Sequence, residues 1–152
     1  MSLIGSTNEE KIWNYLKAKG LPDCGIAGLM GNLYAESCLI PTNLQNSYEK
    51  TLGFTDAAYT AAVDKGTYQN FVKDSAGYGL AQWTYWSRKK NLLDFAKKKG
   101  KSIGDLEMQL DFLWNELQGY KAVISALKTA KTVRAASDSV LANFERPADQ
   151  SE

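Results

Sequence analysis

The segment SIGDLEMQLDFLWNELQ constrains the fold of this chain more than any other, because its apolar side chains recur with the period of an α-helix. They stand three or four residues apart along most of the segment, at Leu106, Leu110, Leu113, Trp114 and Leu117. This spacing places them on one face, which must be buried against other parts of the chain. The segment therefore predicts a core helix.

Similar signals predict further helices. The segment STNEEKIWNYLKAKG has a capping box from Thr7 to Glu10 and a stop signal at Gly20. A second helix is expected between Pro22 and Pro41. Weaker patterns predict helices over 55–65, 87–99, 122–128 and 132–144. No pair of segments alternates as strands do, so we predict a mainly α fold. The 152 residues suffice for one core and are too few for two comfortable domains.

The composition excludes several classes of function. The chain has 0 histidines, which removes the usual base of serine and cysteine hydrolases and the usual zinc ligand. A net charge of +1 gives no field for a nucleic-acid backbone, and no run of eighteen apolar residues predicts membrane insertion. Cys24 and Cys38 flank the second helix, about 20 Å apart, so we expect free and mostly buried thiols. Any chemistry must use carboxylates, amides, hydroxyls or lysines.

One carboxylate, Glu36, lies in the otherwise apolar segment GNLYAESCLI. On a helix it stands almost directly over Leu29 and one turn beyond Leu33, next to the face that we expect to be buried. Apolar neighbours desolvate a carboxylate and favour its protonated form, which a general acid requires. The alternative is a helix-terminal glutamate that turns to solvent or pairs with a basic residue.

A second stretch, DSAGYGLAQWTYWSRK, combines two glycines with aromatic, amide and hydroxyl side chains. The glycines permit close approach or positive φ, and such side chains suit sugar rings and N-acetyl groups. The stretch begins within the end of a polar, irregular region over 42–78, and a region of that kind often lines a site. We therefore expect a cleft here, although a single tryptophan would more often belong to the core.

GNLYAES followed by GYGLAQWT, with FERP near the C-terminus, resembles the phage tail lysozyme family. That family is part of the lysozyme-like superfamily, with goose-type lysozymes and soluble lytic transglycosylases. The resemblance covers residues 7–147 and implies an α+β lysozyme-like domain that is mainly helical. It implies that Glu36 is the general acid and that Gln82 lines the sugar cleft. The Tyr-Asn pair of the transglycosylases is absent, and Asn143 to Arg146 stand in its place, where we predict an ion pair between Glu145 and Arg146.

The function predicted from this resemblance is hydrolysis of the β-1,4 bond between N-acetylmuramic acid and N-acetylglucosamine in peptidoglycan. Asp74 is the predicted base that positions water, with Glu49, Asp56 and Asp64 as rivals. We expect no metal and no organic cofactor. The residues predicted to hold the glycan are Ser75, Tyr78, Gln82, Trp83 and Tyr85.

Three alternatives remain open at this point: a lytic transglycosylase that forms 1,6-anhydro ends, a glycan-binding tail module without catalysis, and a helical interaction domain that binds no glycan. We expect residues 1–6 to be an N-terminal tail, of the kind an expression vector can add, and 148–152 a tail or the start of a linker. The protein is expected to be synthesised in the cytoplasm, to act at the bacterial cell wall and to be part of a larger multidomain protein.

Overall fold

The structure is a computed structural model that describes residues 3–145. This part of the chain is mainly α-helical, as predicted, and contains eight α-helices and a final π-helical turn over Leu141–Glu145. The α-helices are α1 (Asn8–Ala18), α2 (Asp23–Ser37), α3 (Asn46–Leu52), α4 (Asp56–Lys65), α5 (Trp86–Lys99), α6 (Leu106–Gln118), α7 (Lys121–Thr129) and α8 (Val133–Val140). Between residues 3 and 145, β structure is limited to isolated antiparallel bridges from Tyr78 to Leu44 and to Trp83.

Side-chain caps fix the starts of four helices. The hydroxyls of Thr7, Thr55 and Thr132 and the carboxylate of Asp105 each accept a hydrogen bond from the backbone N–H three residues later. These bonds satisfy donors that a helix start otherwise leaves free. Gly66 ends α4 in the left-handed conformation, with a φ of 78°. The helix starts predicted at Thr7, Thr55 and Thr132 and the helix end predicted at Gly66 are confirmed.

Helix α2 lies at the centre of the fold, because two glycines let other helices approach its backbone. A Cβ atom added to Gly25 would stand 2.0 Å from the Leu127 carbonyl oxygen of α7. One added to Gly28 would stand 2.5 Å from the Ala136 Cβ atom of α8. The Asn32 amide adds hydrogen bonds to the Ser137 carbonyl and hydroxyl, at 3.0 and 3.1 Å. Close packing therefore explains glycines that lower helix propensity.

Two features differ from the sequence prediction. Helix α3 was not predicted, because it has seven residues, no side-chain cap and no buried side chain that would create a periodic pattern. Both cysteines among the described residues are free, as expected, but the prediction of burial is wrong for Cys38, which is exposed. Arg146 and the predicted C-terminal tail, 148–152, lie outside the described residues, as do residues 1 and 2.

Candidate active site

Glu36 lies in the last turn of α2 and is half-exposed. Leu29 and Leu33, which share its side of the helix, are fully buried in the core. Glu36 therefore stands at the edge of the core, one turn beyond buried leucines and partly open to solvent. This is the position that the helical period predicts.

The backbone leaves α2 in a strained path. Cys38 and Leu39 both have positive φ angles, 55° and 62°, which L-residues rarely adopt. Hydrogen bonds hold this turn on both sides of the bend. The Ser37 hydroxyl is 3.0 Å from the Leu33 carbonyl oxygen and 2.8 Å from that of Leu80, and the Asn43 amide donates to the Ser37 carbonyl. These bonds hold the end of α2, and with it Glu36, against the glycine-rich segment.

The glycine-rich segment forms a tight hairpin, in which Tyr78 and Trp83 exchange backbone hydrogen bonds of 3.1 and 2.9 Å. The turn requires positive φ at Gly79 and at Gln82, 83° and 51° respectively. Glycine also suits the first position sterically, because an added Cβ atom would come within 2.9 Å of the Gln109 side chain. The sequence GYGLAQW is therefore matched to this turn.

Gln82 is half-exposed, and its amide is held in one orientation. The Nε2 group donates to the carbonyls of Asn43 and Gly79, at 2.8 and 3.0 Å. Because both amide hydrogens are used, the Oε1 atom is the part of this group that can accept a bond from a ligand. Asn43 also bonds to Ser37, so the structure brings Gln82 and the end of α2 together.

Asp74 is not placed as a solvent-accessible base. Its side chain is 1% exposed and forms an ion pair of 2.5 Å with Lys89, whose side chain is 0% exposed. Its carboxylate also accepts bonds from the Tyr59 and Tyr68 hydroxyls and from the Ala76 N–H. Four donors and burial leave no free face for a water molecule, so the geometry argues against the predicted catalytic role.

The two tyrosines on Asp74 have shifted acidities. Burial, followed by the hydrogen bond and the charge of Asp74, raises the pKa of Tyr59 and Tyr68 well above the usual tyrosine value. Both phenols therefore stay protonated at neutral pH and act as donors to the carboxylate. The Lys89 ammonium completes its own bonding with Tyr59 and with the Ala76 carbonyl, at 3.1 and 2.7 Å. The group is a satisfied buried network.

Tyr78 and Trp83 are fully buried, and this geometry argues against their predicted contact with a glycan. The Tyr78 hydroxyl is 2.5 Å from the Thr60 hydroxyl, and burial raises its pKa. The Trp83 indole donates to Glu116, which also accepts two bonds from Arg88. Both rings therefore support the hairpin from beneath it.

Ser75 and Tyr85 lie where a ligand can reach them. They line an open groove of about 630 Å³ together with Val72, Lys73 and Trp86. Trp86 was not predicted as a binding residue, because sequence alone does not tell it from the buried Trp83. Gln45 was also missed, since it lies in the irregular region. Its Oε1 atom accepts the Gly77 N–H at 2.9 Å, beneath the Gln82 amide.

The rival carboxylates have different environments. Asp56 accepts the Leu44 N–H, and Asp64 accepts from Ser102 and Ile103, so both fasten loops. Glu49 is half-exposed on α3. Between residues 3 and 145, no group of three or more aspartate, glutamate or cysteine side chains is arranged to hold a metal ion. No helix in the same range is long and apolar enough to cross a membrane.

Near the C-terminus, Glu145 is buried in the π-helical turn. Burial lowers the pKa of Arg88, but the hydrogen bond and charge of Glu116, with the charge of Glu145, outweigh this effect and raise it overall. The negative charge of Glu145 thus contributes to the raised pKa of Arg88. The predicted pair with Arg146 lies outside the described residues.

The profile of one known family, the phage tail lysozymes, matches residues 7–152. The chain belongs to this family. A relative, Morphogenesis protein 1 of Bacillus phage B103, is 26% identical over 152 residues, a match that covers 95% of this chain and 35% of that protein. The chain thus spans about a third of the length of this relative. Membership in the phage tail lysozymes confirms the family predicted from GNLYAES and GYGLAQWT.

Proposed function

We propose that this domain hydrolyses the β-1,4 bond between N-acetylmuramic acid and N-acetylglucosamine in bacterial peptidoglycan. Glu36 is the general acid, which protonates the leaving oxygen as positive charge develops on the sugar ring. The observation that carries the proposal is the position of Glu36. It is a half-exposed carboxylate at the edge of the core, in a helix turn that Ser37 and Asn43 bind to the hairpin of Gln82.

The other cleft residues have binding roles in this proposal. The Gln82 Oε1 atom accepts a hydrogen bond from a sugar hydroxyl or N-acetyl group, because its Nε2 donors are used by the backbone. Ser75 and Tyr85 contact the glycan along the open groove. Asp74, Tyr78 and Trp83 keep the shape of the site without contacting substrate, since their side chains are buried.

The burial of Asp74 favours a second candidate function, that of a lytic transglycosylase. In that reaction the 6-hydroxyl of the muramic acid itself attacks, and no second carboxylate has to position water. A hydrolase instead needs a group that orients the attacking water. Glu49 is then the remaining candidate among the predicted rivals, because Asp56 and Asp64 are used to fasten loops.

The first experiment replaces Glu36 with glutamine, which keeps the shape and removes the transferable proton. Loss of turbidity of purified cell walls and thermal melting are measured on the same preparations. We expect turnover to fall at least a hundredfold, as loss of general acid catalysis requires, with a nearly unchanged melt. Glu9→Gln, on the exposed start of α1, is the matched control. Activity of Glu36→Gln within tenfold of the parent would overturn the assignment.

Mass spectrometry of the released products separates the two reactions. Reducing ends on muramic acid support hydrolysis, whereas 1,6-anhydromuramic ends would make the domain a transglycosylase. Intact walls after treatment with a folded parent protein would leave only a binding module.

We further propose that the domain acts within a larger protein, a view supported by the relative that is about three times as long as the match.

A further inference from the structure

The open groove beside the hairpin has features that the cleavage reaction does not use. One wall is formed by residues 72, 73 and 75, before the hairpin, and the other by Tyr85 and Trp86, after it. The buried ion pair joins the walls, because Lys89 belongs to the same helix as Trp86 and binds both Asp74 and the Ala76 carbonyl. The groove is therefore a fixed part of the fold.

An aromatic surface faces this groove. Trp86 is 52% exposed, an unusual state for so large an apolar ring. Its ring and that of Tyr85 have centroids 6.1 Å apart and are tilted by 44°, so they form an angled wall. Exposed aromatic rings in a concave site favour the apolar faces of sugar rings. This surface suits a sugar.

A positive charge stands on the opposite wall. Lys73 is exposed, and within residues 3–145 no carboxylate lies within 4.0 Å of its ammonium group. Its neighbour in sequence, Asp74, does not neutralise it, because the Asp74 carboxylate turns inward to Lys89. Among residues 3–145 the groove therefore offers a cation without an ion-pair partner, beside an aromatic surface. It suits a sugar that carries an anionic branch.

We infer that this groove binds the lactyl branch of N-acetylmuramic acid, with Trp86 against the sugar ring and Lys73 paired to a carboxylate on that branch. N-acetylglucosamine has no such branch, so the groove distinguishes the two alternating sugars and sets the register of the strand. The inference rests on the proposed function for its substrate class. The carboxylate comes from the stem peptide or, on strands without peptide, from the lactyl group itself.

Calorimetric titration of the Glu36→Gln protein tests the inference without turnover. Three probes are used: glycan fragments with stem peptides, the same fragments after an amidase has removed the peptides, and neutral chitooligosaccharide. Lys73→Gln, added to this background, should weaken binding of one or both muramic probes by about two- to fivefold at low salt. Chitooligosaccharide binding should not change. The muramic probe that responds identifies the source of the carboxylate.

Trp86→Ala should weaken all three probes by about three- to tenfold, since stacking on a sugar ring does not need the branch. Lys90→Gln on the same helix and Tyr34→Ala, an exposed aromatic on α2, are matched controls that should bind as the parent does. Equal effects of Lys73→Gln on charged and neutral probes, or unchanged binding with Trp86→Ala, would overturn the inference.

The two proposals fail in different ways. If Glu36→Gln still lyses walls but the titrations follow the expected pattern, the catalytic assignment is wrong and the groove inference stands. If Glu36→Gln is inactive and the Lys73 and Trp86 variants bind all probes like their parent, the groove inference is wrong and the catalytic assignment stands.

Discussion

Replacing Lys89 with methionine would leave the carboxylate of Asp74 buried without its cation. The side chain of Asp74 is 1% exposed, and the Lys89 ammonium is its charged partner at 2.5 Å. Removing one member of a buried pair costs about 3–5 kcal/mol of unfolding free energy. In a domain of this size, each kcal/mol of lost stability lowers Tm by about 2–4 °C. The loss therefore corresponds to a fall of roughly 6–20 °C in Tm.

Two further variants isolate the charge. Asp74→Asn combined with Lys89→Met removes both charges, so it should recover at least about half of the stability lost by Lys89→Met alone. Lys90→Met, one position along α5, removes an exposed i,i+4 pair with Asp94 and should cost below about 0.5 kcal/mol. Urea unfolding followed by tryptophan fluorescence measures all three.

The single variant Asp74→Asn decides the role of Asp74. If Asp74 is structural, Asp74→Asn loses stability, and its remaining folded fraction lyses cell walls at near the parent rate. An Asp74→Asn protein that is as stable as the parent but inactive would refute the reasoning, because the buried pair would then have no structural value and the carboxylate would act in the reaction.

Three further predictions follow from other contacts. Gly28→Ala should lower the free energy of unfolding in urea by about 1–3 kcal/mol, because the new methyl would meet Ala136 at 2.5 Å. Gly31→Ala, which has nothing within 4 Å of the new methyl, should raise the free energy of unfolding by up to about 1 kcal/mol. Since burial raises the pKa of Tyr59, the contribution of this phenol to stability should be constant below about pH 10 and fall above it, because the unfolded chain releases the proton first. Tyr59→Phe should reduce that fall in alkaline melts by up to about 1.4 kcal/mol per pH unit. Gln82→Ala should slow wall lysis without moving its pH profile, and a moved profile would mean that Gln82 affects the proton transfer.

The sequence was most informative where local chemistry decides the structure. Threonine caps and left-handed glycines fixed helix boundaries, and the 3.6-residue period located Glu36 beside buried leucines. In each case the deciding contacts lie within a few residues along the chain. A single sequence contains that information directly.

The roles within the hairpin segment were not predictable in this way. Lys73 and Lys89 are both basic residues that could pair with Asp74, and only the tertiary fold determines that the partner is Lys89. From the sequence alone, Lys89 belongs to a charged run that is typical of a solvated helix face. Trp83 and Trp86 are both flanked by aromatic and polar residues, yet one is 0% and the other 52% exposed. Trp83 is bonded to Tyr78 within the hairpin and to Glu116 of α6, whereas Trp86 begins α5, and the contact with Glu116 is distant along the chain.

Gln109 shows how this hairpin is held in place although it contains only single β-bridges. Its buried amide accepts the Leu80 N–H at 3.0 Å and donates to the carbonyls of Pro41 and Ile103, at 2.7 Å each. One side chain from α6 thus supplies the bonds that a neighbouring strand would otherwise provide. Because the Leu80 carbonyl also binds Ser37, this residue of the hairpin is held on one side by the core helix α6 and on the other by the helix of Glu36. Catalysis by a single positioned carboxylate requires such fixed geometry between acid and binding residues.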